Sequence, residues 1–458
     1  RVSTGARVGP AILVQRAPLP IPAGARTIAR ARAAPPVAAP RHPFRAPRSR
    51  PCRLREKETP MTNQLLAVLC VLAGAAAGPG AASNLKPVDP AALQRAVEEQ
   101  AAEMMLPGAM VVLRTPGGDF AFGYGATERG GATPPDAGTH FRIASNTKTI
   151  TAAVTILLAQ EGRLLLDDPV SRYVAGVPDG DAITIENLLK MRSGLYNFTD
   201  APELGASLEA DPTRVWTPEE LLALAFAEPP NFAPDAEFEY SNTNYLLLGL
   251  VIEEIEGRPL ADVFHARLFE PLGMADTLLP EPASNAIPAP FARGYIYGGP
   301  EYALVDTPYP PALQAEARAG TLAPEDETDQ NPSYAGGAGG AISTADDLAA
   351  WMDALVGGEL FDPEWRRLWL DSPEAQDPAA PEGQKYGYGI SKVAWGPNRL
   401  YFHGGEMPGY NSFMGHDPVS DMTLVIWTTL TVSLDGRPTA NTMMLRLLEE
   451  IYVEPPGR

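Results

Sequence analysis

"FRIASNTKTITAAVTILLAQEGRL", residues 141–164, decides how this chain is read. Ser145 and Lys148 stand three residues apart at the head of an otherwise small and apolar run, so on a helix they share one face, on a side the helix wants to bury. Lysine is scarce here: only six of the 36 basic residues are lysine, at 57, 86, 148, 190, 385 and 392. A chain that uses arginine for ordinary positive charge has kept at 148 a cation that can lose its proton when desolvated. Near a helix start, the free N–H groups and the dipole favour a developing oxyanion and disfavour a cation, which suits Lys148 to act as base for Ser145. Taken alone the pattern is weak, since serine and lysine three apart occur often by chance, and a surface serine with a snorkelling lysine is the simpler account.

Charge is distributed unevenly around this segment. Residues 1–60 hold 13 of the 36 basic residues and 2 of the 56 acidic ones, a net of +11, which leaves 23 against 54 and a net of −31 for the rest. That first stretch is rich in Arg, Pro and Ala without helical or strand period. "MTNQLLAVLCVLAGAAAGPGAASN" follows it, an apolar run closing on small residues in the manner of a secretion signal. Residues 1–60 are therefore read as an upstream arm outside the native protein, with Met61 as the start and a signal over 61–83, cleaved after Ala77 or Ser83. A basic nucleic-acid-binding arm is the competing reading. The apolar core from Leu65 to Ala77 is too short for a bilayer span, which takes about 20 residues, so the expectation is an exported protein without an integral membrane span. Both cysteines, Cys52 and Cys70, fall in these segments, and the remainder can have neither disulfides nor thiol catalysis. Its acidity argues against nucleic acid or an anionic membrane surface as partner.

Further along, "DPAALQRAVEEQAAEMM" (89–105) predicts an opening helix with Asp89 as cap, and "GAMVVLRTPGGDFAFGYGAT" a hairpin around Pro-Gly-Gly. Helical patterns occupy 145–161, 184–191, 217–227, 242–256 and 259–270. The proline-rich 306–334 reads as irregular and exposed. After a helix at 344–356, strands are expected in "YGYGISKVAW", "RLYFHGG", "YNSFMGHD" and "MTLVIWTTL", and a last helix at about 438–452. Strands at both ends with helices between them predict an antiparallel sheet joined from distant parts of the chain, an α/β (α+β) fold. The domain expected over 84–458 has its sheet part at about 84–164 and 340–455 and a helical insertion at about 165–339.

Two more segments carry chemistry. In "EFEYSNTNYLLLGLVIEE" (237–254), Tyr240-Ser241-Asn242 precedes a strongly apolar helix; in "YFHGGEMPGYNSF" (401–413), His403-Gly404-Gly405 lies on a strand where missing side chains would let a backbone approach a ligand. Ser-x-x-Lys (145, 148), Tyr-x-Asn (240, 242) and His-x-Gly (403, 405), in that order, resemble the penicillin-recognising serine hydrolases: class C β-lactamases, DD-carboxypeptidases and their related family VIII carboxylesterases. "LLKMRSGL" (188–195), "PLGMADT" (271–277) and "GGAISTADDLAAWM" (339–352) extend the resemblance over most of residues 90–452.

The resemblance implies a β-lactamase/transpeptidase-like fold and acyl transfer through a covalent Ser145 intermediate, with no metal and no cofactor. Lys148 and Tyr240 would share the proton, the cationic neighbour lowering the phenol's pKa. Backbone N–H groups of Ser145 and Glu406 would form the oxyanion hole, and Asn242 would orient the substrate. His403 stands where β-lactamases carry Lys-Thr-Gly, and Gly404 lacks the hydroxyl that helps hold a substrate carboxylate; Arg399, on the same strand face as His403 by alternation, is the candidate to replace it. A small-molecule ester, a D-Ala-D-Ala peptide or a β-lactam is the substrate, with ester hydrolysis expected to exceed β-lactamase turnover. A non-turnover ligand sensor of the same fold is the rival outside enzymes. An α/β-hydrolase is excluded because no Gly-x-Ser-x-Gly elbow exists, the five histidines show no metal-ligand spacing, and "YAGGAGGAIS" (334–343) reads as a turn at the edge of the site rather than a phosphate loop.

Overall fold

Every residue of Tyr410–Asp417 and of Met422–Thr428 is buried, so these strands have apolar matter on both faces and belong in the middle of a sheet. In the computed structural model, which describes residues 84–303, 308–358 and 360–456, they do. Eight strands form one sheet: β1 (Gly108–Thr115), β2 (Gly118–Gly125), β3 (Glu374–Ala375), β4 (Lys385–Tyr386), β5 (Ser391–Trp395), β6 (Asn398–Met407), β7 (Tyr410–Asp417) and β8 (Met422–Thr428). Their order is β2-β1-β8-β7-β6-β5-β4-β3, with every pair antiparallel. The register of β1 on β8 runs from Ala109 opposite Thr428 to Arg114 opposite Thr423, joining segments from opposite ends of the chain. Just outside the sheet, Leu85 bridges Tyr452, Lys86 N–H donates to Ile451 O and Val453 N–H to Asn84 O, so the two ends of the described chain lie side by side.

Alternation along the central strands splits the interior in two. Phe413, Leu424 and Ile426 face a core that includes α1 (Pro90–Glu103) and α4 (Thr439–Ile451). Met414, Val425 and Trp427 face the larger core, which includes α2 (Thr147–Gln160) and α3 (Asn242–Glu256). Asp89 caps α1 by accepting from the N–H groups of Ala91 and Ala92. Twelve of the 14 residues of α2 are buried, as a helix apolar all round requires; its threonines are satisfied locally or by neighbours, Thr151 Oγ1 donating to Gly337 O at 2.6 Å.

The differences from the sequence reading have one recurring cause. Pro311–Arg318, inside the stretch expected to be irregular, is helical, and Pro202–Ala210 and Pro363–Asp371 are helices that were not expected. All three begin on a proline at the first helical position, where its fixed φ and missing N–H cost nothing. "YGYGISKVAW" is strand only at β4 and β5, because Gly389 takes φ +71° and turns the chain between them. The helix expected at 259–270 runs as Leu260–Phe264, a π-helical turn at His265–Phe269 and Glu270–Leu272. The arm at 1–60, the signal at 61–83 and both cysteines lie outside the described residues. Among those described, no helix is long and apolar enough to cross a membrane.

Candidate active site

Ser145 sits in the 3-10 turn Ala144–Asn146 that feeds directly into α2. The preceding Ala144 is held at φ +48°, a left-handed conformation unusual for a residue with a side chain. Such strain occurs where surrounding structure over-determines a functional turn. Ser145 is half-buried, at the floor of a cleft with about 170 Å³ of free space between α2, the start of α3 and the edge of β6.

One turn into α2, Lys148 is wholly buried. Its Nζ lies 3.0 Å from Ser145 Oγ, 2.7 Å from Asn242 Oδ1 and 2.7 Å from the carbonyl oxygen of Ala338. Burial drives its pKa well below the ordinary lysine value. Tyr240 shares a hydrogen bond with Ser145, and its ring centroid lies 4.8 Å from Lys148 Nζ. Here the geometry corrects an expectation: burial raises the Tyr240 phenol, and the hydrogen bond with Ser145 only partly offsets that. No net lowering of the phenol results, because burial outweighs what its neighbours contribute.

Asn242 opens α3 and bridges outward: its Nδ2 donates to Thr199 Oγ1 at 3.0 Å while its Oδ1 holds Lys148. Across the cleft, β6 pairs with β7 from Tyr401 to Met407 but with β5 only as far as Phe402. Beyond Phe402 the strand therefore presents an open edge to the cleft, and His403, Gly404, Gly405 and Glu406 all line it. His403 Nδ1 lies 2.6 Å from Gly404 O and so carries the hydrogen, leaving Nε2 to accept from the Tyr386 hydroxyl at 3.2 Å. This imidazole is neutral: burial, then the nearby Lys148, lower it to about 3.

The approach of β6 to the nucleophile depends on Gly405. A Cβ there would lie 2.1 Å from Ile143 O and 2.5 Å from Ser412 Oγ. Ser412 Oγ also accepts from Asn146 Nδ2 at 2.9 Å, tying the turn that holds Ser145 to the sheet.

Arg399 does not join this group. Its guanidinium donates to Gly396 O and Asn398 O at the β5–β6 turn, and it does not line the cleft. It stands four positions before His403 along the strand, about 13 Å, so sharing a face does not bring it near. Among the described residues no lysine or arginine lines the cleft, Lys148 lying buried behind Ser145, whereas two acids, Asp200 and Glu406, do. Asp200 accepts from Asn197 Nδ2 at 3.0 Å and, mainly through burial, titrates at about 6.

Sequence reasoning did not single out Ala338, Thr199, Asp200, Tyr386 or Asn441, all of which line the cleft. Ala338 belongs to the glycine-rich "YAGGAGGAIS", which the structure sets along one wall, and "YGYGI" carried Tyr386; the other three stand in unremarkable text. Among the described residues, no group of three or more His, Cys, Asp or Glu is placed to hold a metal ion.

The geometry agrees with comparisons to known proteins. A family model, Beta-lactamase, matches residues 93–449. Esterase EstB of Burkholderia gladioli is 31% identical over 281 residues, 58% of this chain and 69% of the esterase. Protein flp of Staphylococcus aureus (strain N315) is 26% identical over 355 residues, 74% of this chain but only 62% of flp. Among solved structures, a D-stereospecific amidohydrolase from Streptomyces sp. superposes with a TM-score of 0.65 at 29% identity, covering 75% of this chain and 95% of that one. The D-amino acid amidase of Ochrobactrum anthropi SV3 does so with a TM-score of 0.65 at 27% identity, covering 79% of this chain and 97% of the amidase. A family match across nearly all of the described chain, on a β-lactamase/transpeptidase-like fold, means that the chain belongs to the beta-lactamase family and is a serine hydrolase.

Proposed function

We propose that the chain hydrolyses neutral esters and amides through an acyl-enzyme on Ser145. The observation that carries the reading is the set of three contacts at Lys148 Nζ. A neutral amine has two N–H donors and one lone pair. When Lys148 gives up its third proton, Asn242 Oδ1 and Ala338 O keep the two donors that remain, which turns the lone pair toward Ser145 Oγ.

Lys148 then accepts the Ser145 proton as Oγ attacks the substrate carbonyl. The N–H groups of Ser145 and Glu406 receive the negative charge that develops on the carbonyl oxygen. Tyr240, kept protonated by its burial, delivers a proton to the departing alcohol or amine as the bond to the acyl carbon breaks, and is reprotonated from Lys148. Water attacks the Ser145 ester, releasing a carboxylic acid and restoring the serine.

The substrate class is supported by the lining. A cleft edged by Asp200 and Glu406, with a neutral His403 and with Arg399 elsewhere, repels a free carboxylate rather than holding it. This favours an esterase or amidase over a DD-carboxypeptidase or a β-lactamase, in keeping with the esterase and amidases to which the chain is similar.

Intact-mass spectrometry with a chromogenic ester, a penicillin and a D-Ala-D-Ala peptide, run beside turnover assays, tests it. A transient adduct and turnover with the ester are expected, and Ser145→Ala loses both. Efficient cephalosporin hydrolysis at ester-like rates, or a stable adduct without turnover as for a sensor, would sink the reading. Export on the apolar run at 61–83 remains part of this proposal, checked by N-terminal sequencing of the mature protein.

A further inference from the structure

Asn441, at the start of α4, is 6% exposed and lines the catalytic cleft, yet neither its Oδ1 nor its Nδ2 has a hydrogen-bond partner. A buried amide left unmade is costly, on the order of 1–3 kcal/mol for each group, so such a residue facing a cleft is set up for a ligand. Asn398 is orphaned in the same way but does not line the cleft, and the position of Asn441 is what gives its vacancy meaning.

That position is on the other side of β6 from the nucleophile. A Cβ on Gly405 would run into Ile143 and Ser412 on the Ser145 side, whereas one on Gly404 would lie 3.5 Å from Asn441 Oδ1 and 3.7 Å from its Nδ2. Because residue 404 has no side chain, the cleft continues over the open edge of β6 and ends on the Asn441 amide. This arm crosses β6 at Gly404, the strand residue next to His403, whose ring lies 6.4 Å from that of Tyr240. Tyr240 is the proton donor to the departing group, so the arm lies on the leaving-group side of the scissile bond.

We infer that Asn441 recognises a carboxamide in the leaving group of the substrate. A carboxamide matches both vacant atoms at once, its N–H donating to Oδ1 and its carbonyl accepting from Nδ2. A free carboxylate has no donor for Oδ1, and among the described residues no lysine or arginine lines the cleft to meet it. The natural substrate class is thus an ester or peptide-like amide whose alcohol or amine portion bears a neutral amide, such as the amide of a hydroxy or amino acid. The inference rests on the ester- and amide-hydrolase reading given above.

The test uses three esters of one acyl group, with glycolamide, glycolate and propanol as leaving alcohols. Wild type is expected to hydrolyse the glycolamide ester with a kcat/KM at least ~10-fold above the other two, the order of discrimination a paired polar contact provides. In Asn441→Leu, the glycolamide-to-propyl ratio should fall to about one. Asn441→Asp, of nearly the same shape, removes the Nδ2 donor and should collapse the ratio likewise, which guards against a folding defect in the leucine variant. Ratios unchanged in both variants, or glycolate handled as well as glycolamide, would overturn the assignment. Absence of turnover with every ester would instead bring down the hydrolase reading; binding of the intact glycolamide and propyl esters to Ser145→Ala, with and without Asn441→Asp, then reads Asn441 by itself, and equal affinities would overturn it.

Discussion

Lys148 and Arg carry the same charge at the surface, but only the amine can present a lone pair to Ser145 while donating to Asn242 Oδ1 and Ala338 O. Lys148→Arg is therefore expected to lower kcat by about 10³-fold, within the range for loss of a general base, and retained activity would exclude proton transfer through this side chain. Because burial depresses Lys148, the rise of kcat/KM with pH should fall well below the region where ordinary lysines titrate. Asp200 provides a second titration with the opposite bearing. Its folded-state value of about 6 exceeds the usual carboxylate value, so the folded protein holds this proton where the unfolded chain has lost it, and stability falls as pH rises from about 4 to 6. Asp200→Asn is expected to stabilise the protein by about 1 to 3 kcal/mol at pH 7 and hardly at all at pH 4, read by urea denaturation at the two values. Ser145 and Lys148 were legible because a helix fixes their relation locally, over three residues. Asp200 and Asn441 were not: each owes its place in the cleft to packing against segments remote in sequence, and neither sits in a pattern with a chemical meaning of its own.

At the scale of the element, β6 does two jobs along its length. Up to Phe402 it is an interior strand, and from His403 to Met407 it is an edge with backbone groups turned to the cleft. Its two glycines are not equivalent. Gly405→Ala drives a methyl group into Ile143 O at 2.1 Å, and is expected to cost about 1–3 kcal/mol of stability and about 10²-fold in kcat/KM through displacement of the edge from Ser145. Gly404→Ala meets nothing nearer than 3.5 Å and should leave the denaturation midpoint nearly unchanged. Parallel kinetics and denaturation of the two variants check the contrast. Alternation along "RLYFHGG" and "YNSFMGHD" predicted the strands, yet it also suggested that Arg399 would reach the site, since a shared face says nothing about distance along a strand. Helices opening on Pro202, Pro311 and Pro363 escaped for a related reason: proline breaks a helix interior but begins one well, and composition alone does not tell the two apart.

For the whole molecule, the sheet is built from both ends of the chain inward, a plan the sequence showed by placing its strand-like text before residue 126 and after residue 384. Which strands would be neighbours was less visible, because pairing of β1 with β8 depends on contacts no local window contains. The hydrogen bonds that set Lys86 against Ile451 and Val453 against Asn84 give this plan a further meaning. A fold whose first and last described segments, residues 84–86 and 451–453, touch is topologically close to a ring, and where a ring is cut is a matter of covalent history rather than of folding energy. A circular permutant that links residue 456 to residue 84 through a few glycines and opens between Ala379 and Ala380, in an exposed loop none of whose residues from 377 to 380 lines the cleft, is expected to keep ester hydrolysis within about threefold and to unfold in a single transition. Loss of activity would show that the order in which the strands are synthesised matters to this fold; its retention would show that the first and last described segments act as one continuous element, closed by hydrogen bonds instead of a peptide bond.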